Sequence, residues 1–122
     1  MLAGKRILIV DDEQTIANSL VMIFSSHGYE CKAANSAEDA KELVLNWRPD
    51  LAIIDVRLLG NDGVALAIEV QEQWPGCKVA LFTGLNLDLP QAKEHDFEII
   101  PKPIHPAEIL KLVAKLLSPS QE

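Results

Sequence analysis

The feature that most constrains the fold of this chain is its alternation between short apolar runs and longer amphipathic segments. Runs of four to six mostly apolar residues indicate strands of a parallel sheet, and amphipathic segments of helix length between them indicate helices that cover it. The predicted strands are residues 6–10, 29–33, 51–54, 78–82 and 97–100, of which 29–33 is more polar and edge-like. We therefore expect an α/β fold with one doubly wound, five-stranded parallel sheet and helices on both faces.

Four intervening segments carry a helical period of apolar residues. They are residues 13–27, 36–47, 63–74 and 107–117. Ser36 and Asp39 resemble a capping box at the start of the second segment, and Pro49 ends it. The segment 84–96 is different, because Pro90 lies in its middle and leaves room only for a short or irregular fourth helix.

Composition excludes several classes of function. The chain has 122 residues, 11 Lys and Arg against 18 Asp and Glu, and a net charge of −7, which disfavours direct binding of nucleic acid. Its apolar runs are far shorter than the roughly 20 residues needed to cross a bilayer, so we expect no membrane span and a cytoplasmic location. Cys31 and Cys77 are isolated thiols that indicate neither a disulfide framework nor a zinc site. One domain over residues 1–122, with a short flexible tail at 118–122, accounts for the length.

The residues that carry chemistry directly follow the predicted strands. Asp11 and Asp12 follow the first, Asp55 the third, Thr83 the fourth and Lys102 the fifth. Because the carboxyl ends of parallel strands meet at one edge of a sheet, we expect these side chains to converge there. Carboxylates brought within about 4 Å repel one another, so the cluster indicates a bound cation, and its hard oxygen ligands favour Mg²⁺.

A phosphoryl group is the natural second ligand of such a site. Asp55 can attack phosphorus to form an aspartyl-phosphate, while Lys102 and the Thr83 hydroxyl contact phosphoryl oxygens. Taken alone, an Asp that follows a strand can simply cap the next helix, and this role remains an alternative for Asp12.

These residues and their order resemble the receiver domain of two-component response regulators. The resemblance covers the whole chain: Asp11 and Asp12, Asp55 followed by Asp62 and Gly63, Thr83, and Lys102 with Pro103. It implies a flavodoxin-like sheet of strand order 2-1-3-4-5, a Mg²⁺ cofactor, and phosphate supplied by a histidine kinase or a histidine phosphotransfer protein. It also implies that a downstream partner protein, or an output domain in a longer chain, reads the phosphorylated state.

The resemblance assigns a role to each residue. Asp55 corresponds to the phospho-acceptor, Asp12 to the direct metal ligand and Asp11 to its partner. Arg57 would offer its backbone carbonyl to the metal. Lys102 would contact the phosphoryl group, or Asp55 before phosphorylation, and its bond to Pro103 is expected to be cis.

Four features depart from the family pattern. Leu59 replaces the usual proline four residues after the acceptor, and Ile99 replaces the switch aromatic, with Phe97 expected on the same face. Thr83 and Lys102 are 19 residues apart, which shortens the fourth helix. Leu85 and Arg57 flank the phosphoryl pocket, which predicts an altered phosphoryl lifetime.

Two other functions stay open on the sequence alone. A pseudo-receiver would keep the fold and act as a protein interaction module without phosphate. A small α/β phosphohydrolase would use Asp55 for turnover, although Arg57 stands where an additional general acid would be expected. In the preferred interpretation the chain is not an enzyme and catalyses only its own phosphorylation and dephosphorylation.

Overall fold

The computed structural model describes residues 4–58, 61–84, 95 and 97–118. Within these ranges five strands form one parallel sheet in the predicted order 2-1-3-4-5. The strands are β1 (Arg6–Val10), β2 (Glu30–Ala34), β3 (Leu51–Asp55), β4 (Lys78–Thr83) and β5 (Glu98–Pro101). The predicted fold class is therefore confirmed. Each strand begins and ends within one residue of its predicted bounds.

Helices cover both faces of this sheet. They are α1 (Gln14–Ser25), α2 (Ala37–Val44), α3 (Gly63–Gln73) and, after β5, α4 (Pro106–Leu117). Buried residues of α1 and α4 pack against one face, and those of α2 and α3 pack against the other. Helix α2 ends at Val44, three residues before the predicted end at Trp47, whose side chain is buried beyond the helix.

Strand β3 lies at the centre of the sheet and is buried along its whole length. Leu51 and Ile53 belong to the core under α1 and α4, while Ala52 and Ile54 belong to the core under α2 and α3. Each of the larger side chains contributes about 1.5 to 3 kcal/mol through burial. The apolar residues of this strand therefore hold its last residue, Asp55, in a buried position, although burial of a carboxylate is itself unfavourable.

Side chains cap the first turns of α2 and α3. The Ser36 hydroxyl accepts a hydrogen bond from the Asp39 N–H at 3.1 Å, as the capping box predicts. Asp62, which the family resemblance includes, accepts one from the Val64 N–H at 2.9 Å and caps α3. Asp62 also pairs with Arg57 in a short antiparallel ladder between residues 57–58 and 61–62. This ladder connects β3 to α3.

Some predictions fall on residues outside the described ranges. These are the short or irregular fourth helix within 84–96, the departures at Leu59 and Leu85, and most of the tail at 118–122. Among the helices that are described, none has the length and apolar character that a membrane crossing requires.

Candidate functional site

The predicted site residues lie at the carboxyl edge of the sheet. Asp11 and Asp12 directly follow β1, Asp55 and Thr83 are the last residues of β3 and β4, and Lys102 directly follows β5. Asp11, Asp55 and Thr83 are also the buried polar or charged residues of the described chain. Since burial of a polar group costs free energy unless it is compensated, their shared location at one edge marks a functional site.

Three carboxylates meet there. One oxygen from each of Asp11, Asp12 and Asp55 lies within 4.8 Å of the others. Asp11 is completely buried and Asp12 is partly exposed. Their mutual repulsion in a partly desolvated pocket makes the arrangement unfavourable unless positive charge is present.

Lys102 supplies part of that positive charge. Its Nζ donates to Asp11 Oδ2 at 3.0 Å and to Asp55 Oδ2 at 3.1 Å. The Lys102 N–H donates to the Thr83 carbonyl at 2.8 Å, which links the loop after β5 to the end of β4. The bond between Lys102 and Pro103 is cis, as the resemblance implied.

The pKa values in the cluster respond to burial and to neighbouring charge. Burial raises the pKa of Asp55, and the Asp11 charge adds to this, while hydrogen bonds from the Arg57 N–H and from Lys102 oppose it; the net shift is upward. Burial alone would lower the pKa of Lys102, but its hydrogen bonds and charge contacts with both carboxylates raise it overall. Lys102 is therefore an ammonium at neutral pH, and it is one lysine beside three carboxyl groups.

Backbone contacts orient the two buried carboxylates. Asp55 Oδ1 accepts from the Arg57 N–H at 3.1 Å, and Asp11 Oδ1 accepts from the Glu13 N–H at 2.9 Å. Helix α1 has Glu13 as its N-cap residue, so the carboxylate bonded to the backbone at this turn is that of Asp11 rather than Asp12. The suggestion that Asp12 serves only as a helix cap therefore gains no support.

One further polar residue near this edge was not among the predicted site residues. Asn35 directly follows β2, and its Nδ2 donates to the Asp11 carbonyl at 3.3 Å. Its signal was available, because it is a polar residue at a strand end like the five predicted site residues. Asn35 therefore helps to hold the turn that carries the acid pair.

The donor set fits a hard divalent cation. Carboxylate oxygens are the ligands that Mg²⁺ prefers, and three clustered carboxyl groups beside one lysine favour a bound cation. Asp11, Asp12 and Asp55 would hold it. The role of the Arg57 carbonyl stays a prediction, since the described contacts of Arg57 are its hydrogen bond to Asp55 and its ladder pairing with Asp62.

Ile99, which stands at the position of the family's switch aromatic, and the nearby Phe97 differ in burial. Ile99 is 41% exposed, whereas Phe97 is buried in the core under α2 and α3 and stacks on His95. His95 also exchanges hydrogen bonds with Gln71 on α3. The aromatic Phe97 thus belongs to the core, and the aliphatic Ile99 at the switch position faces solvent.

A comparison with known protein families establishes the family. The profile of the response regulator receiver domain matches residues 7–114. The chain therefore belongs to the response regulator receiver domain family, as the motif residues had indicated.

Two individual proteins are similar to this chain. Protein Rrf1 of Nitratidesulfovibrio vulgaris is 34% identical over 119 residues, which cover 93% of this chain and 83% of Rrf1. The phosphate regulon transcriptional regulatory protein PhoB of Pseudomonas aeruginosa is 38% identical over 66 residues, which cover 54% of this chain but only 29% of PhoB.

A solved structure gives the same result. The response regulator TrrA of Thermotoga maritima, crystallised in complex with Mg²⁺-BeF, superposes with a TM-score of 0.83 at 30% identity, covering 93% of this chain and 99% of TrrA. The chain is thus similar to TrrA over nearly the full length of both.

Proposed function

We propose that this receiver takes a phosphoryl group on Asp55 in a Mg²⁺-dependent reaction and that the phosphorylated state changes a partner-binding face. The observation that carries the proposal is the contact of the Lys102 ammonium with both Asp11 and Asp55 at 3.0 and 3.1 Å. A buried acceptor carboxylate beside an ammonium and two further carboxylates matches the charge requirements of phosphoryl transfer.

The reaction needs little beyond positioning and charge neutralisation. An oxygen of Asp55 forms a bond to phosphorus, and the bond from phosphorus to the donor breaks, with its electron pair leaving on the imidazole nitrogen of a phosphohistidine or the carboxylate oxygen of an acyl phosphate. Lys102 stabilises negative charge on one phosphoryl oxygen. The Thr83 hydroxyl, at the end of the neighbouring strand, would donate to another.

A metal bound by Asp11, Asp12 and Asp55, with the Arg57 carbonyl as a further ligand, would shield the repulsion between the acceptor and the incoming phosphoryl group. The three clustered carboxylates support this part of the proposal. The printed description of TrrA, which names Mg²⁺-BeF, supports it by analogy.

Partners follow from the same proposal. A histidine kinase or a histidine phosphotransfer protein would donate the phosphoryl group, and a downstream protein or an output domain would read the switch. PhoB, of which the matched region is 29%, shows that a relative can be much longer than this chain. The cytoplasmic location and the absence of enzymatic turnover on other substrates remain predictions.

The decisive experiment combines a small phosphodonor with intact-mass measurement. The protein is incubated with acetyl phosphate in the presence of Mg²⁺ or of EDTA, beside Asp55→Asn and Asp62→Asn. Asp62 is the matched control, because it is a nearby aspartate that caps α3. We expect a mass gain of one phosphoryl group that requires Mg²⁺ and Asp55 but not the Asp62 carboxylate.

Absence of labelling, under conditions that label a known receiver, would contradict phosphorylation by small donors and would favour the pseudo-receiver. Continuous release of phosphate from a simple ester would instead favour a phosphohydrolase. Labelling that persists in Asp55→Asn would place the acceptor elsewhere.

A further inference from the structure

An aromatic ring lies beside the lysine of the site. The Nζ of Lys102 is 4.9 Å from the centroid of the Phe82 ring. This is within the roughly 6 Å over which an ammonium is attracted to the face of an aromatic ring. Two carboxylates and one ring therefore surround the ammonium, and only the carboxylates change charge when the site binds a metal or a phosphoryl group.

The backbone fixes the position of this ring. Phe82 is in register with Asp55 on the adjacent strand, and its carbonyl accepts a hydrogen bond from the Val56 N–H at 3.1 Å. The next residue, Thr83, accepts the hydrogen bond from the Lys102 N–H at 2.8 Å. Strands β3, β4 and β5 thus hold the acceptor, the ring and the lysine at neighbouring positions.

The surroundings strengthen the interaction. Phe82 is 4% exposed, and the Lys102 side chain is 15% exposed. Both residues line a mainly apolar groove of about 590 Å³ between α1 and the loop that precedes α4. Because both side chains are largely buried, attraction between the ammonium and the ring is larger than it would be at an exposed site.

We propose that Phe82 is a positioning residue for Lys102 in phosphoryl transfer, an inference that rests on the function proposed above. When Asp55 is phosphorylated, the carboxylate that Lys102 contacts becomes an acyl phosphate and its charge moves outward onto the phosphoryl oxygens. The ring stays neutral and in place, so it holds the ammonium in the pocket in both states. Lys102 then needs only a small displacement to reach the phosphoryl group.

The test compares two buried phenylalanines of the same core. Phe82→Leu removes the ring beside Lys102, and Phe24→Leu makes the same substitution where the ring packs against Tyr29 at 6.0 Å. With acetyl phosphate and Mg²⁺, we expect phosphorylation of Phe82→Leu to be about two- to thirtyfold slower than that of Phe24→Leu. Phe82→Tyr keeps an aromatic face beside the groove and should recover most of the rate.

A second readout does not depend on phosphorylation. In NMR spectra recorded without phosphodonor, the ring current of Phe82 should shift the side-chain protons of Lys102 upfield. This shift should be lost in Phe82→Leu and in Phe82→Met, and kept in Phe24→Leu and Phe82→Tyr. Equal rates in the two leucine variants would overturn the proposed role, and an unchanged Lys102 signal in Phe82→Leu would overturn the contact itself.

The two proposals can fail separately. If the wild-type protein takes no phosphoryl group, the proposed function fails, and with it the role in transfer. If the wild-type protein and Phe82→Leu are phosphorylated equally fast, the proposed function stands and the role of Phe82 fails.

Discussion

The two edges of the sheet use aspartate in opposite ways, although Asp50 and Asp55 are only five residues apart. At the amino edge, Asp50 Oδ2 accepts from the Arg6 N–H at 2.8 Å, the Asp50 N–H donates to the Arg6 carbonyl, and the Asp50 carbonyl accepts from the Lys78 N–H. Asp50 thus ties together the starts of β1, β3 and β4. At the carboxyl edge, Asp55 faces Asp11 and Asp12 and shares one lysine with Asp11.

The difference separates a residue that stabilises the fold from one that is buried beside like charge. The Asp50 carboxylate accepts from the Arg6 N–H, and the Asp50 backbone bonds to the starts of β1 and β4, so this residue serves the fold. Asp55 carries unfavourable charge and is held in place by the apolar strand behind it. Buried carboxylates with perturbed pKa values of this kind cluster at functional sites.

The largest expected effect comes from comparing a glycine at each edge. A methyl group on Gly63 would overlap the backbone carbonyl of Asp55, whereas one on Gly76, near the amino edge, would meet no atom within 4 Å. We expect Gly63→Ala to lower the free energy of unfolding by about 2 to 4 kcal/mol. Gly76→Ala should change it by less than about 0.5 kcal/mol. Urea unfolding followed by circular dichroism measures both, and equal stabilities would refute the close packing behind Asp55.

The second prediction applies one chemical change to both aspartates. Asp50→Asn replaces a charged acceptor with a neutral one and should lower stability by about 1 kcal/mol. Asp55→Asn relieves desolvation and repulsion from Asp11, so it should raise stability by about the same amount in EDTA. Urea unfolding at neutral pH tests the pair. Destabilisation by both variants would show that the two edges do not differ in this respect.

The pH dependence of the Asp55→Asn effect sharpens the comparison. Since the pKa of Asp55 in the folded protein is raised above its ordinary value of 3.8, the native state binds this proton more tightly than the unfolded state does. The contribution of Asp55 to stability is therefore full below its unfolded pKa and is lost as pH rises through the folded one. The advantage of Asp55→Asn should shrink towards zero as pH falls through that window. A difference that stays constant with pH would contradict the raised pKa.

The last prediction concerns the cysteines. Burial raises the pKa of Cys77 to about 12, with the Asp50 charge as a second cause, and burial alone raises the pKa of Cys31 to about 12. At pH 7.5 both thiols should react with iodoacetamide about a thousandfold more slowly than in the unfolded chain.

Asp50→Asn separates the two causes. It removes the charge near Cys77, so it should accelerate alkylation of Cys77 a few fold and leave Cys31 unchanged. Peptide mass spectrometry at short reaction times distinguishes the two thiols. Equal acceleration at both would indicate general loosening of the fold rather than a local charge effect.

Local sequence patterns predicted most of the fold and the main site residues. Apolar runs identified the five strands, helical periodicity identified the helices, and the strand ends pointed to Asp11, Asp12, Asp55, Thr83 and Lys102. These signals are readable because they repeat over two to four residues and because parallel strands bring their carboxyl ends together. The end of α2 was less predictable, since Trp47 continues the apolar period although the helix stops at Val44.

The sequence by itself determined the order of the elements and the chemistry of the residues at the strand ends. Only the tertiary structure decided which partner each of those residues has. Asn35 contacts Asp11 across 24 positions, Lys102 contacts Asp11 across 91, and the Phe82 ring faces Lys102. The physical reason is that local periodicity decides which face of an element is buried, whereas contacts between distant residues depend on strand order and register, which form only when the whole sheet is assembled.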